Sequence, residues 1–269
     1  MEKYSVLMSL YNKEQPEYLR AALDSMINQT VKPDEIVLVE DGPLTDELYK
    51  VIEEYEDYLH IVVNEKNLGL GVALNKGLEA CKNELVARMD TDDIAVPDRC
   101  EKQLRYFAIH PDVTILGGQI EEFIVDPQKP VGKRAVPETD EELKEYIKRR
   151  CPFNHMTVMF KKMDILKVGS YQDWFWNEDY FLWIRLALKG YKFANLSVTL
   201  VKTRIGAEMY DRRGGEKYFR SEIGIQKLML REKIISLPIY LMNCGKRLIV
   251  EKMMPGKIRG WVYKKFARE

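Results

Sequence analysis

The N-terminal part of the chain alternates between two hydrophobic patterns. Continuous apolar runs predict buried strands, and stretches in which apolar residues recur every three or four positions predict helices packed by one face. The predicted strands are 4–10, 35–39, 60–63 and 84–89, and the predicted helices between them are 17–28, 46–58 and 71–81. This alternation is typical of an α/β fold in which helices cover a mostly parallel, Rossmann-like sheet.

The pattern is less regular from residue 99 onward. Strands are predicted at 114–118, 156–160 and 197–203, and helices at 99–109, 140–150, 164–168 and 178–189. From residue 216 the chain is predicted to be helical, and no internal repeat precedes it. We therefore predict a domain 1–215, made of a half 1–100 and a half 101–215, followed by a helical extension 216–269.

Polar or acidic residues follow three of the four N-terminal strands. These clusters are Tyr11-Asn12, Glu40-Asp41 and Asp90-Thr91-Asp92-Asp93. Because ligands of such sheets bind at the carboxyl ends of the strands, the clusters are expected to share one cleft. Carboxylates set this close repel one another unless a cation lies among them, and their oxygens suit Mg²⁺ or Mn²⁺. A simpler interpretation is that Asp92 and Asp93 cap a helix that begins at Pro97.

Charge is balanced over the whole chain but not along it. There are 42 Lys and Arg residues and 42 Asp and Glu residues, so the net charge indicates no partner. Residues 245–269, however, hold eight basic residues against two acidic ones, a net charge of +6. The four cysteines show no CxxC spacing, and the sequence shows no signal peptide and no apolar run long enough to span a bilayer. We therefore expect reduced thiols and a cytoplasmic protein.

Gly69-x-Gly71 follows a predicted strand and opens a predicted helix, as in dinucleotide-binding folds. The position of the third glycine in that fingerprint is Leu74, so the match is weak. The alternative is a tight strand-to-helix turn that carries Asn67 and Asn75.

Five stretches, taken in order, carry a resemblance to a known family. They are Ser9-Leu10-Tyr11-Asn12-Lys13-Glu14, Glu40-Asp41-Gly42, Asn67-x-Gly69-x-Gly71-x3-Asn75-x-Gly77, Asp90-Thr91-Asp92-Asp93 with Pro97-x-Arg99, and Glu178-Asp179 with Trp183. Together they resemble the family 2 glycosyltransferases, which have the GT-A fold, over residues 4–215. The segment from Arg204 to Gly215 is similar to the subgroup that builds exopolysaccharide, capsule and O-antigen chains.

The resemblance implies a nucleotide-sugar site in the first half. Tyr11 would lie against the base, Asp41 would accept a hydrogen bond from it, and Asp90 would contact the ribose. Asp92, with Asp90 beside it, would bind a divalent cation, Mn²⁺ or Mg²⁺, that bridges the diphosphate. Arg99 would hold the aspartate loop by charge-assisted hydrogen bonds. The other residues assigned to nucleotide-sugar binding are Ser9, Asn12, Glu14, Glu40, Asn67, Gly71, Asn75 and Thr91.

The resemblance also implies an acceptor side. Asp179, next to Glu178, would act as the general base, and a base on the face opposite the leaving group predicts inversion at the sugar carbon. Trp176 and Trp183 are either core residues or an aromatic platform for a sugar ring. His155 is either a satisfied histidine near the start of a strand or a contact to phosphate or acceptor.

Two departures from the family pattern affect the expected contacts. Many relatives have Asp-Asp where this chain has Glu40-Asp41, so the base contact is expected to differ in detail. Many also have a histidine shortly after the arginine equivalent to Arg204, and Ile205-Gly206-Ala207 contains none. Arg204, Arg212 or Arg213 would then neutralise the diphosphate.

The basic tail has two interpretations. Its aromatic-bearing helices fit an interfacial anchor, with the apolar face in the headgroup region and lysines toward anionic lipid. Alternatively, they pack on the catalytic domain with a solvated basic face. Nucleic acid is a poor fit, because no recognition motif accompanies the charge.

The predicted function is transfer of a sugar, with inversion, from a nucleotide-diphosphate donor, expected to be a UDP-sugar, to a lipid-linked saccharide. The protein would then work in the cytoplasm or peripherally on the inner face of the cell membrane. Two alternatives stay open: another nucleotide-sugar enzyme resembling a pyrophosphorylase, and a catalytically silent scaffold in a polysaccharide assembly complex.

Overall fold

The computed structural model describes residues 2–206 and 215–253. Its strands are β1 (Tyr4–Leu10), β2 (Glu35–Asp41), β3 (Leu59–Asn64), β4 (Leu85–Arg88), β5 (Ile94–Ala95), β6 (Val113–Phe123), β7 (Gly132–Arg134), β8 (Met159–Lys161) and β9 (Lys192–Arg204). Its α-helices are α1 (Pro16–Ile27), α2 (Asp46–Glu54), α3 (Leu70–Ala80), α4 (Arg99–Ile109), α5 (Asp140–Tyr146), α6 (Lys162–Lys167), α7 (Glu178–Leu188), α8 (Glu216–Arg231) and α9 (Leu237–Arg247). A π-helical turn, Leu248–Met253, follows α9.

One sheet runs through the described part of the chain in the order β3-β2-β1-β4-β8-β6-β9-β5, with β7 paired to β6. The first four strands are parallel, as the strand–helix alternation predicts. Beyond β4 the sheet is mixed, because β8 runs antiparallel between β4 and β6 while β6 and β9 are parallel. The parallel half therefore brings the ends of β1, β2 and β4 to one edge.

Two hydrophobic clusters fill the two faces of the sheet. Along β1, Val6 and Met8 belong to one cluster while Leu7 belongs to the other, as the two-residue period of a strand requires. Helices α1, α2 and α4 cover the first face, and α3, α7 and α8 cover the second. The expected architecture of helices on both faces is confirmed.

Most predicted boundaries shift by a few residues. The helix expected at 46–58 ends at Glu54 and continues as a 3₁₀ turn, and the one expected at 140–150 ends at Tyr146. Thr45 and Thr139 cap the starts of these two helices, and Thr139 forms a capping box with Glu142. The strand expected at 197–203 begins earlier, at Lys192.

The described part of the extension packs on the preceding part of the chain. Ile225 and Met229 of α8 are fully buried in the second hydrophobic cluster. On α9, the Asn243 amide donates to the Gln226 side chain at 2.8 Å and to the Lys148 carbonyl at 2.9 Å. Within the described residues, none of the helices is both long enough and apolar enough to cross a bilayer. The basic segment 254–269 lies outside the described residues.

Candidate active site

Three carboxylates converge directly after β4. One oxygen each from Asp90, Asp92 and Asp93 lies within 4.8 Å of the others. Asp93 is 1% exposed, and its carboxylate accepts the Arg204 backbone N–H at 2.8 Å. Helix α4 begins only at Arg99, so the Asp93 side chain fastens β9 to the acidic loop instead of capping that helix. Asp90 and Asp92 are half-buried and supply the oxygen ligands that Mg²⁺ or Mn²⁺ prefers.

The electrostatics of this cluster fit a bound cation. Burial, followed by the charges of Asp90 and Glu14, raises the pKa of Asp92 to about 7. The pKa of Asp93 is also raised well above its usual range, by burial and then by the charges of Asp92 and Asp90. Ionisation of neighbouring carboxylates is unfavourable in such a site, and a divalent cation would remove that penalty.

Residues after β1 support the acidic loop. The Thr91 hydroxyl donates to Glu14 Oε2 at 2.7 Å, which joins the loop after β1 to the loop after β4. Thr91 is 4% exposed, and burial raises the pKa of Glu14. Ser9, Tyr11 and Asn12 lie at the same end of β1, where Ser9 pairs in register with Val39 of β2. Their contacts with a nucleotide stay predictions.

Asp41 shapes the loop that precedes α3. Its buried carboxylate accepts hydrogen bonds from the Leu68 N–H at 2.8 Å, the Gly69 N–H at 2.9 Å and the Asn64 amide at 2.9 Å. Gly42 permits this arrangement, because a Cβ there would lie 2.5 Å from the Asn67 backbone nitrogen. Neighbouring Glu40 is also buried, which raises its pKa. The contact of Asp41 with a base stays a prediction.

Arg99 lies beneath the acidic loop. It is 0% exposed and donates to the Arg88 carbonyl at 2.7 Å and to the Gln103 side chain at 3.2 Å. This burial fits the loop-holding role that the resemblance implies for Arg99 and leaves its guanidinium without access to a donor. It supports the loop through the main chain of the strand below it.

Arg204 lies at the rim of the acidic loop. Its guanidinium carbon is 3.7 Å from the centre of the Tyr18 ring and 4.6 Å from that of Phe123, so two aromatic faces hold it. Its Nε is 3.4 Å from the Asp92 carbonyl oxygen. These contacts place a fixed positive charge beside the candidate cation site. Arg212 and Arg213 lie outside the described residues.

Glu178 and Asp179 open α7. Asp179 Oδ1 accepts the Tyr180 N–H at 2.7 Å, and Oδ2 lies 3.4 Å from the Cys151 thiol, which can donate to it. Burial raises the pKa of Asp179, and burial together with the charge of Asp179 raises the pKa of Glu178 to about 7. A half-buried carboxylate with a raised pKa suits a general base.

Arg88 and Tyr171 link the two acidic groups. Arg88, 2% exposed, forms an ion pair with Asp90, and its charge also acts to lower the pKa of Glu178 and of Asp179. Burial raises the pKa of Tyr171, and the charges of Asp179, Glu178 and Asp90 add to this effect. The charges of both acidic groups therefore reach Arg88 and Tyr171.

Asn75 holds the chain that leads into α7. Its amide donates to the Tyr171 carbonyl at 2.6 Å and accepts the Tyr171 N–H at 2.9 Å. The Tyr171 hydroxyl in turn lies 2.9 Å from His155 Nε2. A Cβ on Gly71 would be 3.6 Å from Glu178 Cβ, so α3 and α7 approach closely at this glycine. Asn75 and Gly71 thus connect the first half of the chain, residues 1–100, to the second half, residues 101–215.

His155 is half-buried beside Tyr171 and Trp183. Burial, and then the charge of Arg88, holds its pKa well below the usual range. Its ring also contacts Tyr171 and Trp183, with centroid distances of 5.5 and 6.0 Å. This environment favours the interpretation of His155 as a satisfied histidine, and its contact with a substrate stays a prediction.

The aromatic residues around α7 divide into core and surface. Trp183 is 0% exposed and packs edge-on against Phe153 at 5.4 Å between ring centres. Of the two interpretations of Trp183, this burial favours core packing over a platform on the acceptor side. Trp176 is 49% exposed, stacks on Phe175 and has a positive φ of 56°. Strained non-glycine residues of this kind cluster at functional sites.

Replacement of Cys151 by alanine is expected to raise the pKa of Asp179. A hydrogen bond to an ionised carboxylate stabilises it, and burial keeps the Cys151 pKa high, so the thiol stays protonated. Arg88, Arg134 and Glu178 also act on this region and stay in place. The acidic limb of the pH–rate profile should therefore move to higher pH in Cys151→Ala, and Cys151→Ser should restore it. Identical profiles in all three proteins would contradict the contact.

Comparisons with known proteins show which family the chain resembles in sequence. The profile of the family described as "Glycosyl transferase family 2" matches residues 5–175. The amylovoran biosynthesis glycosyltransferase AmsE of Erwinia amylovora is 41% identical over 268 residues, 97% of this chain and 98% of its own. The UDP-Gal:alpha-D-GlcNAc-diphosphoundecaprenol beta-1,3-galactosyltransferase of Escherichia coli is also 41% identical, over 99% of this chain and 97% of its own.

Solved structures show the same fold at lower identity. S. aureus TarS 1-349 in complex with UDP-GlcNAc aligns with a TM-score of 0.65 at 18% identity, over 93% of this chain and 73% of that one. The mannosyltransferase PcManGT from Pyrobaculum calidifontis, in complex with GDP-Man and Mn²⁺, aligns with a TM-score of 0.64 at 16% identity, over 99% and 80% of the two chains. The predicted GT-A fold is confirmed.

Proposed function

Because the chain belongs to glycosyl transferase family 2, we propose that it transfers a sugar from a UDP-sugar to a lipid-linked saccharide, with inversion, in the synthesis of a cell-surface polysaccharide. The chain is a glycosyltransferase, so the dinucleotide enzyme suggested by Gly69-x-Gly71 and the pyrophosphorylase alternative are set aside. The UDP donor and lipid-linked acceptor are supported by the name of the Escherichia coli relative and by the UDP-GlcNAc complex of TarS.

The observation that carries the proposal is the placement of two acidic groups around shared buried partners. Asp90 and Asp92 would hold Mn²⁺ or Mg²⁺, which would offset charge on the diphosphate. Arg204, fixed between Tyr18 and Phe123, would bind the same phosphates from the rim. Asp179 would then lie on the acceptor side, beyond Arg88 and Tyr171.

The chain's own residues would handle the proton and the acceptor. As the acceptor oxygen bonds to the sugar carbon, the bond from that carbon to the diphosphate oxygen breaks and its electron pair leaves with UDP. Asp179 would take the proton of the acceptor hydroxyl, and Glu178 would support it. The exposed Trp176 ring offers an apolar face on which an acceptor sugar would stack.

A panel of nucleotide sugars, tested for hydrolysis with Mn²⁺, addresses the proposal directly. We expect UDP release from one UDP-sugar, and we expect NMR of the transfer product to show an inverted anomeric carbon. Hydrolysis of none of the sugars would favour the catalytically silent scaffold. Retention of configuration at the anomeric carbon would contradict the single-base mechanism.

A further inference from the structure

Helix α9 carries large apolar side chains on the face that points away from the protein. Its inner face carries Asn243 and Arg247 beside Ile239 and Tyr240. Asn243 bonds to Gln226 and Lys148, and Arg247 pairs with Glu222 at 2.6 Å. Its outward face is mostly apolar, with Lys246 as the charged residue among the exposed positions. We call the apolar positions of this face the apolar stripe: Leu237, Leu241 and Met242 on α9, followed by Leu248 and Ile249. A helix that merely covers a domain shows the opposite pattern, with polar residues toward water.

The apolar stripe is substantially exposed. Leu241 is 60% exposed, Leu237 56% and Ile249 55%. Isolated exposed apolar side chains are normal, but a contiguous set along one helix marks an interaction surface. The buried polar contacts of Asn243 and Arg247 fix the orientation of the helix, so the stripe is a constant feature of this face.

Lys246 borders the stripe, and residues 245–269 carry a net charge of +6. Lys246 is exposed on α9, and the segment Lys148-Arg149-Arg150 lies against the inner side of the same helix. Arg149 is exposed, and its carbonyl accepts a hydrogen bond from Arg247 at 3.0 Å. Lysine is depleted at protein–protein interfaces, whereas apolar residues flanked by cations fit anionic headgroups above an acyl layer.

The stripe is also linked to the predicted acceptor side of the site, through the segment that α9 contacts. Lys148, which α9 contacts, is followed within three residues by Cys151, which contacts Asp179. The Tyr180 hydroxyl, one residue after Asp179, donates to the Ile147 carbonyl. A surface that binds at α9 therefore lies near the groups that would receive the acceptor.

We infer that the apolar stripe of α9 docks on an anionic lipid bilayer, with the helix lying in the interface plane and the flanking cations toward the headgroups. The inference rests on the proposed function in one respect, since a lipid-linked acceptor gives the docking its purpose. It also makes the two interpretations of the extension compatible. One face of α9 packs on the rest of the protein, and the opposite face would contact lipid.

The test is co-sedimentation of the full-length protein with vesicles. We expect binding to phosphatidylglycerol–phosphatidylcholine vesicles and much weaker binding to phosphatidylcholine alone. Leu241→Glu should weaken binding about tenfold or more, because it places a charge in the apolar layer. Lys246→Gln should weaken it about fivefold, and added salt should reduce the effect of that change.

Ile109→Glu is the matched control, because Ile109 is 73% exposed at the end of α4 and receives the same change. It should leave vesicle binding unaltered. Equal loss in both glutamate variants, equal binding to neutral vesicles, or a wild-type dimer that Leu241→Glu dissociates in light scattering would each overturn the inference. UDP-sugar hydrolysis by Leu241→Glu should match wild type, so a failure of lipid docking is distinguishable from a failure of the proposed function.

Discussion

Replacement of Asp179 by asparagine is expected to lower the transfer rate about 10²- to 10⁴-fold, the usual contribution of a general base. Asparagine fills the same volume and can still accept the Tyr180 N–H, but it cannot take the proton of the acceptor hydroxyl. In the proposed mechanism the donor diphosphate would bind at the other acidic group, Asp90 and Asp92, so affinity for UDP should stay within about twofold of wild type. Steady-state transfer and UDP titration calorimetry measure the two quantities separately.

The pH dependence of the transfer rate gives an independent test of Asp179 as the base. The base must be ionised to act, so the rate should fall as pH falls through its pKa. Burial places that pKa above the ordinary value of 3.8, and the acidic limb should lie correspondingly higher. The limb should disappear in Asp179→Asn. Asp173→Asn, the same change at an exposed position of the preceding loop, is the matched control. A wild-type rate in Asp179→Asn, or an equal loss in both variants, would remove Asp179 from its role.

Replacement of Asp92 by asparagine is expected to abolish both transfer and stabilisation by Mn²⁺. For the wild-type protein, Mn²⁺ at a hundred times its dissociation constant should add about 2.7 kcal/mol to the free energy of unfolding. For a chain of this size that corresponds to a rise in Tm of about 5–10 °C. In Asp92→Asn the rise should be lost, since one of the two accessible carboxylates is gone. Differential scanning fluorimetry with and without Mn²⁺ measures the effect.

Without Mn²⁺, the same replacement should increase the free energy of unfolding near neutral and alkaline pH. The folded-state pKa of Asp92 is raised to about 7 from an ordinary 3.8, so its protonated form favours the folded state. That contribution is present below about pH 4 and is lost as pH rises to about 7, where the charge must be accommodated. Without Mn²⁺, Asp92→Asn should therefore be more stable than wild type at pH 8. Exposed Asp57→Asn should behave as wild type, and an undiminished Mn²⁺ response in Asp92→Asn would contradict the site.

Much of the fold follows from local patterns, because the apolar runs and helical periods of the first half are short-range signals. The antiparallel position of β8 beside β4 does not follow from a short-range signal. Met159 and Phe160 pair with strands far away in the chain, and nothing in their own sequence gives the direction of that pairing. The parallel half of the sheet was thus predictable, and the mixed half was not.

Some residues of the candidate site were likewise predictable from the sequence, and others were not. Asp90, Asp92 and Asp93 are adjacent in sequence, so their convergence needs only a strand end, whereas the Asp179–Cys151 contact joins residues 28 apart. Arg88 is concealed within an apolar strand, where a lone arginine gives no functional signal. Trp176 and Trp183 have similar aromatic neighbours in sequence, and only the start of α7 at Glu178 decides which ring is exposed.

The hydrogen bond from the Arg204 N–H to Asp93 has a consequence for biosynthesis. It spans 111 positions of the chain, and Asn75 and Tyr171, which also fasten the two halves, are 96 positions apart. On the ribosome, the aspartates emerge long before either restraint can form. The acidic loop can therefore be fastened to β9 only after β9 has been translated, so this part of the fold is completed late in synthesis.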